Sequence, residues 1–353
     1  MNSPGLTIEG ALDLLLEQGG SDLLISCGST PRIRRDGTLR PLLEEAPIIR
    51  PADSAAMLRE VLSDDQWEEL QRRKHVDFAF TWRGRVRLRG NAFFQRGSLA
   101  AAFRLLPLEI PSFEQLGIPD AVNRLVGRHQ GLILVTGPTG SGKSTTMAAI
   151  IDHINRTTPC HVITIEDPIE YVHRHQLAVV DQRQIGMDAP SFVEALRAVF
   201  REDPDVVLIG EMRDLETIAA ALTIAETGHL VLATLHTNDS AQAIDRILDG
   251  FPPGQQQQVR IQLGACLAGV IYQQLLPATG GGRLAAFEVL VATSAVRALI
   301  KDGKTNQIRN FMQTNSREGC QTLERSLSAL VRKGLVTERV AMSRSLFPDE
   351  IKG

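Results

Sequence analysis

The chain has 353 residues, 43% hydrophobic and 22% charged, with a formal net charge of −3. Those values describe a globular protein of two or three domains. They exclude a protein that meets nucleic acid or an anionic membrane through a global basic field. Four cysteines, Cys27, Cys160, Cys266 and Cys320, stand far apart with no C-x-x-C pair. That argues against a zinc site and a secreted disulfide framework, and for reduced thiols in the cytosol. No apolar run reaches about 18 residues, so no spanning helix is expected. The start, MNSPGLTIEG, lacks the basic and apolar regions of a secretory peptide.

In chain order, Thr7 caps a short amphipathic helix through Leu16 that Gly19-Gly20 closes. Residues 23–26 form a strand, and 32–35 and 38–40 flank the hairpin signal Asp36-Gly37. Pro51 begins a helix to about Leu62, and Ser63 caps another carrying Trp67 and Leu70. Three β-like runs follow at 76–82, 85–95 and 98–106, turned by Arg83-Gly84 and Arg96-Gly97. This predicts a small α+β domain with one antiparallel sheet. Pro107, Pro111 and Pro119 punctuate the connection beyond it.

Arg83, Arg85, Arg87 and Arg89 alternate with apolar residues, so a strand places all four on one face. Like charges so arranged repel unless water or an anion lies opposite. Two readings stay open: a solvated face, or inner arginines that meet the triphosphate of a neighbouring subunit, joined by Arg104 on the next strand. An arginine supplied in this way is worth about 10³–10⁵ in rate where measured.

The apolar run 132–135 leads into GPTGSGKST at 137–145, and a helix-compatible stretch follows at 146–154. This is the phosphate-loop pattern in its proper strand–turn–helix context. Gly137, Gly140 and Gly142 let the backbone bend towards phosphate oxygens, with Pro138, Thr139, Ser141 and Thr145 completing the loop. Lys143 reaches the β- and γ-phosphates, and the Ser144 hydroxyl can ligate Mg²⁺. The expected ligands are therefore ATP and Mg²⁺.

Strand and helix then alternate, predicting a mostly parallel sheet covered on both sides. Strands at 162–165, 206–209 and 230–235 end in Glu166-Asp167, Gly210-Glu211 and His236, with His229 just before the third. A capping box at Ser191 and Glu194 opens one helix; Asp214 caps another that Gly228 terminates. Ligand sites in open α/β sheets lie beyond the carboxyl ends of the strands, which gathers Glu166, Glu211 and His236 at the phosphate loop. Glu211 is assigned to magnesium and Glu166 to water activation, with Asp167 as its orienting neighbour. His236 is a candidate sensor of the γ-phosphate, and His229 a structural or inter-domain residue.

Further on, Gly250-Phe-Pro-Pro ends a helix, and a glutamine run at 255–258 lies in the next. Residues 260–276 are apolar enough for a core helix. Gly280-Gly-Gly282 marks a turn, 284–290 a strand, and the remainder from Thr293 is helical, with amphipathic segments at 295–301 and 323–333.

These motifs resemble those of the secretion-type ATPases of the RecA-like class, most closely the type IV pilus retraction ATPases (PilT-like). The resemblance covers nearly the whole chain. Beyond the phosphate loop it is carried by ITIEDPIEY at 163–171, REDPDVVLIGEMRDLETI at 201–218 and TGHLVLATLHTND at 227–239. AVRALIKDGKTNQI at 295–308 and MQTNSREGCQTLERSL at 312–327 complete it. It implies an α/β fold: a RecA-like P-loop NTPase core at 121–290, a smaller N-terminal PAS-like α+β domain at 1–106, a linker at 107–120, and a C-terminal helical region at 291–353. It also implies a homo-hexameric ring with ATP bound between domains. Arginines corresponding to Arg89 and Arg104 would serve the active site, magnesium and water-activating roles fall on Glu211 and Glu166, and nucleotide sensing on His229 and His236.

The implied activity is ATP hydrolysis that drives pilus retraction and twitching motility. The implied setting is the cytoplasmic side of the inner membrane, on a platform protein, with other pilus motor ATPases as further partners. The chain lacks the extra N-terminal domain and four-cysteine loop of secretion and extension relatives, which favours the retraction side. It departs from the usual AIRNL motif at Val296 and Ala298, so an accessory motor or a paralogue serving another filament stays open. Two rivals belong to other classes. A nucleic-acid translocase needs a basic pore, which the charge and the sparse aromatics do not favour. A non-hydrolysing assembly partner predicts that Glu166→Gln leaves function intact.

Overall fold

The computed structural model describes residues 6–352 apart from Asp36, Arg85, Pro107 and Leu108. The readings placed on Asp36, Arg85 and Pro107 therefore lie outside the described residues. The chain divides into two units, Met1–Glu109 with Pro168–Tyr171, and Ile110–Asp167 with Val172–Gly353.

In the first unit, Thr7 accepts from the Gly10 N–H and opens α1 (Ile8–Glu17). Strands β1 (Asp22–Ser26), β2 (Arg32–Arg35) and β3 (Thr38–Pro41) follow. Then come α2 (Pro51–Arg59), shorter than the sequence suggests, and α3 (Asp64–Arg73), which Ser63 caps. The remaining strands are β4 (His75–Trp82), β5 (Val86–Gln95) and β6 (Ser98–Leu106). Among the described residues they form an antiparallel six-stranded sheet in the order β3-β2-β1-β6-β5-β4. Ile8, Leu12, Leu23, Phe78, Leu88 and Phe103 are part of one core beneath it.

The second unit begins with α4 (Phe113–Leu116) and α5 (Asp120–Val126), and is built on a sheet of seven strands among the described residues. These are β7 (Gly131–Thr136), β8 (His161–Glu166), β9 (Val179–Gln184), β10 (Val206–Ile209), β11 (Leu230–Leu235), β12 (Leu267–Pro277) and β13 (Arg283–Val291). Their order is β13-β12-β7-β11-β10-β8-β9, and only the β12–β13 pairing is antiparallel. Every residue of β7, β10 and β11 is buried. Strands covered on both faces read as unbroken apolar runs for this reason. Leu132, Leu134, Val207 and Val231 face one helical layer, while Ile133, Val135, Leu208 and Leu232 face the other. The first layer includes α7 (Phe192–Val199), α8 (Leu215–Glu226), α9 (Ser240–Asp249) and α10 (Pro253–Cys266); the second includes α5 and α6 (Lys143–Thr157). Beyond β13 lie α11 (Ser294–Lys301), α12 (Ile308–Thr314), α13 (Leu323–Arg332) and α14 (Glu338–Met342).

Two further elements differ from the sequence reading. Residues 260–276 are not one helix: α10 stops at Cys266 and the chain becomes β12. A short apolar run suits a buried helix or a buried strand equally. Here the open edge of β7 on one side and β13 on the other decide it by pairing. Strand β9 has no counterpart in that reading, because VVDQRQ is polar and pairs only with β8 at the sheet edge. No described helix is long and apolar enough to cross a membrane.

Candidate nucleotide-binding site

The phosphate loop starts where β7 ends. Thr136, the last residue of β7, accepts from the Thr237 N–H at 3.0 Å, which ties this corner to the end of β11. Gly137, Gly140 and Gly142 carry the loop through positive φ values of 150°, 76° and 89°. At two of them close packing adds a second reason for glycine. A Cβ on Gly137 would strike the Gln273 carbonyl oxygen, and one on Gly142 would stand 3.2 Å from Gln273 Nε2. Gly142 caps α6 without a side-chain bond, and a helix N-terminus of this kind favours an anion. Pro138, Thr139, Gly140 and Ser144 are exposed, Thr145 is half-buried, and Ser141 is buried.

Lys143 is buried at the first position of α6. Its Nζ donates to the carbonyls of Gly137 (2.8 Å) and Pro138 (3.0 Å) and lies 3.4 Å from His236 Nδ1. Burial pushes the Lys143 ammonium below its ordinary pKa, and the Glu211 carboxylate pulls the other way. Glu211 has one oxygen 2.7 Å from Arg213 Nη2 and the other 3.1 Å from His236 Nε2. The hydrogen bond from Arg213 holds the Glu211 carboxyl below the usual carboxylate range, against the effect of burial. Burial, then the charge on Lys143, pushes the His236 ring down. A neutral imidazole serves both contacts: Nε2–H donates to Glu211 and Nδ1 accepts from Lys143. The contact with Glu211 is thus a hydrogen bond rather than an ion pair.

Glu166, at the end of β8, has different surroundings. Its Oε1 accepts from Thr164 Oγ1 at 2.6 Å and from Gln182 Nε2 at 3.1 Å. These two donors are neutral, whereas Glu211 contacts the Arg213 guanidinium and the His236 ring. A cavity of about 490 Å³ opens beside Glu211, Arg213, His236 and Thr237.

The structure thus brings Lys143, His236 and Glu211 into one line of contacts, as the strand-end argument expects. Arg213, which completes that line, is absent from the sequence reading; its place two residues past a strand-end glutamate was the available signal. His229 is not part of the line. It precedes β11 at the opposite end of the strand, with Nδ1 3.1 Å from the Ile224 carbonyl oxygen and 3.2 Å from Thr227 Oγ1.

Arg89 and Arg104 belong to the first unit, where they stand opposite one another on β5 and β6. Arg104 Nε donates to Asp22 at 2.8 Å, Arg89 lies 4.0 Å from Asp77, and both side chains are exposed. Arg87, on the same strand face, donates to the Ile169 carbonyl at 3.0 Å. Arg83 leaves the expected stripe. It sits in the turn at φ 46°, with its guanidinium 3.0 Å from Asp13 of α1. Arg297, within AVRALI, donates to the carbonyls of Ala265, Leu267 and Ala292, and so braces α11 against the α10–β12 junction.

Residues 32–343 match the family model described as type II/IV secretion system protein. The chain belongs to that family. Within it the chain is PilT-like. It is 44% identical over 333 residues to the type IV pilus retractation ATPase PilT of Pseudomonas aeruginosa, covering 94% of this chain and 96% of that one. It is 45% identical over 317 residues to a twitching motility protein of Neisseria gonorrhoeae, covering 90% and 84%. Among solved structures, the pilus retraction motor PilT with bound ADP superposes at a TM-score of 0.92, with 48% identity and 98% of each chain covered. The RecA-like α/β reading of the fold agrees with that likeness.

Proposed function

We propose that this chain is an ATP-hydrolysing motor that drives type IV pilus retraction, working as a homo-hexamer at the cytoplasmic face of the inner membrane on a platform protein. The observation that carries the reading is the line Lys143–His236–Glu211 beside a glycine-built phosphate loop, in a chain that aligns with PilT almost end to end. The loop fits a nucleotide phosphate, because the Ser141 hydroxyl is buried without a hydrogen-bond partner among the described residues. Ser144 and Glu211 offer the hard oxygen donors that magnesium takes. When bound, that ion neutralises phosphate oxygens.

The chain's own residues then divide the work. Lys143 leaves the loop carbonyls for the phosphates, and His236 reports that departure to Glu211. Glu166, held by Thr164 and Gln182, orients the attacking water. Arg89 and Arg104 of a neighbouring copy supply positive charge to the transferred group, and His229 senses the nucleotide state from outside the line. Catalysis rests on positioning and charge rather than on covalent chemistry. The test is whether the purified protein hydrolyses ATP with magnesium and restores twitching to a retraction-deficient strain. A folded protein that hydrolyses no ATP removes the motor reading. One that hydrolyses ATP but restores no twitching removes the pilus assignment alone.

A further inference from the structure

Gln273 follows Tyr272, the β12 residue that pairs with Thr136, and so stands at the sheet edge from which the phosphate loop springs. The residue is only 1% exposed. Nε2 donates to the Ser141 carbonyl oxygen at 2.7 Å, and that acceptor fixes which amide atom is the nitrogen. Gln273 Oε1 and Ser141 Oγ are both buried without a hydrogen-bond partner among the described residues. The backbone carbonyl of Gln273 packs over Gly137, and its amide nitrogen faces Gly142. One residue therefore meets the loop at its start, its middle and its end.

The geometry points to Gln273 as a positioning residue of the phosphate loop, which aims the Gly142 N–H at the nucleotide. The physical reason lies in the peptide plane. The Ser141 carbonyl and the Gly142 N–H share one planar trans unit and point in opposite directions. A buried donor that draws the carbonyl towards β12 turns the N–H away from β12, into the concave side of the loop. It also keeps a carbonyl dipole from facing phosphate oxygens. The unpartnered Ser141 hydroxyl can donate to a phosphate oxygen, and so marks the corner where a ligand completes the loop's hydrogen bonding. This inference rests on the reading of 137–145 as a phosphate loop.

The test measures binding of a fluorescent ADP analogue to the full chain, with the unfolding midpoint taken without nucleotide. Gln273→Met fills the space but donates nothing to Ser141. It is expected to weaken binding about tenfold and raise KM by a similar factor, with kcat at saturating ATP little changed. Gln274→Ala, whose side chain meets Tyr272 and Arg344 instead, is expected to bind as the parent does. Unchanged affinity in a folded Gln273→Met overturns the inference. Should that variant fail to fold, Gln273→Asn, one methylene too short to reach Ser141, carries the same expectation. Lys143→Ala separates the two ideas: retained binding there defeats the phosphate-loop reading itself. Lost binding there beside an unaltered Gln273→Met defeats only the role of Gln273.

Discussion

At the scale of single residues, the two glutamates at neighbouring strand ends have different environments. Glu166 is held by a hydroxyl and an amide, while Glu211 is braced by Arg213 and His236. Glu166→Gln keeps the shape and both partners, so it is expected to bind nucleotide like the parent and lose turnover by a hundredfold or more, on the order of a positioned general base. Parallel binding and hydrolysis assays decide it, and equal turnover would remove Glu166 from the water-activating role. Lys143→Ala is expected to abolish binding, because the loop then has no cation to meet the phosphates.

A second residue-scale expectation concerns pH. His173 is buried with Nδ1 unpartnered among the described residues, and burial pushes its pKa down to about 4 from an ordinary 6.5. The unfolded chain therefore takes up this proton before the folded one does. Stability is complete above pH 6.5 and falls as the pH drops towards 4, by on the order of 3 kcal/mol from this group. Urea midpoints between pH 7.5 and 4.5 should fall less steeply in His173→Leu. Parallel curves for the two proteins would assign the acid sensitivity to other groups.

At the scale of elements, packing gives some sequence features their meaning. Gly90 follows Arg89 on β5 and pairs with Phe78 and Phe103 of the flanking strands. Phe78 lies edge-to-face on Phe103 at 5.9 Å, and its ring occupies the space where a Gly90 side chain would stand. Gly90→Ala should cost about 1–3 kcal/mol by overpacking, visible as a lower denaturant midpoint with slope unchanged. An unaltered midpoint would mean that the aromatic layer can yield.

The elements differ in how openly the sequence declared them. The helices capped by Thr7, Ser63, Ser191 and Asp214 were legible because a cap is a local contact between residues three apart. Buried parallel strands were legible as apolar runs. β12 was not, since β7, the parallel neighbour that draws it into the sheet, lies far back along the chain. Arg83 misled for a similar reason: alternation implied a strand, but the turn ahead of β5 rotates that side chain towards α1.

At the scale of the whole molecule, the motor reading makes a cooperative prediction. If Arg104 serves a neighbouring copy, Arg104→Ala should lower turnover about 10³-fold in assembled rings and leave nucleotide affinity near that of the parent. Hydrolysis by assemblies verified by electron microscopy decides it, and full activity in variant rings would confine Arg104 to its contact with Asp22.

By itself, the sequence determined that a phosphate loop joins a buried strand to a helix, and that carboxylates and a histidine lie at strand ends. Both follow from local chemistry: glycines that permit positive φ, apolar runs that must be covered on two faces, and side chains that close helix ends. Only the tertiary structure decided that Gln273 lies under the loop, that Arg213 completes the Lys143–His236–Glu211 line, and that His229 stays apart from it. The contacts of Gln273 with Ser141 and of Lys143 with His236 join residues remote in sequence, and the stacking order of strands, which sets their meeting, is written in no short stretch of the chain.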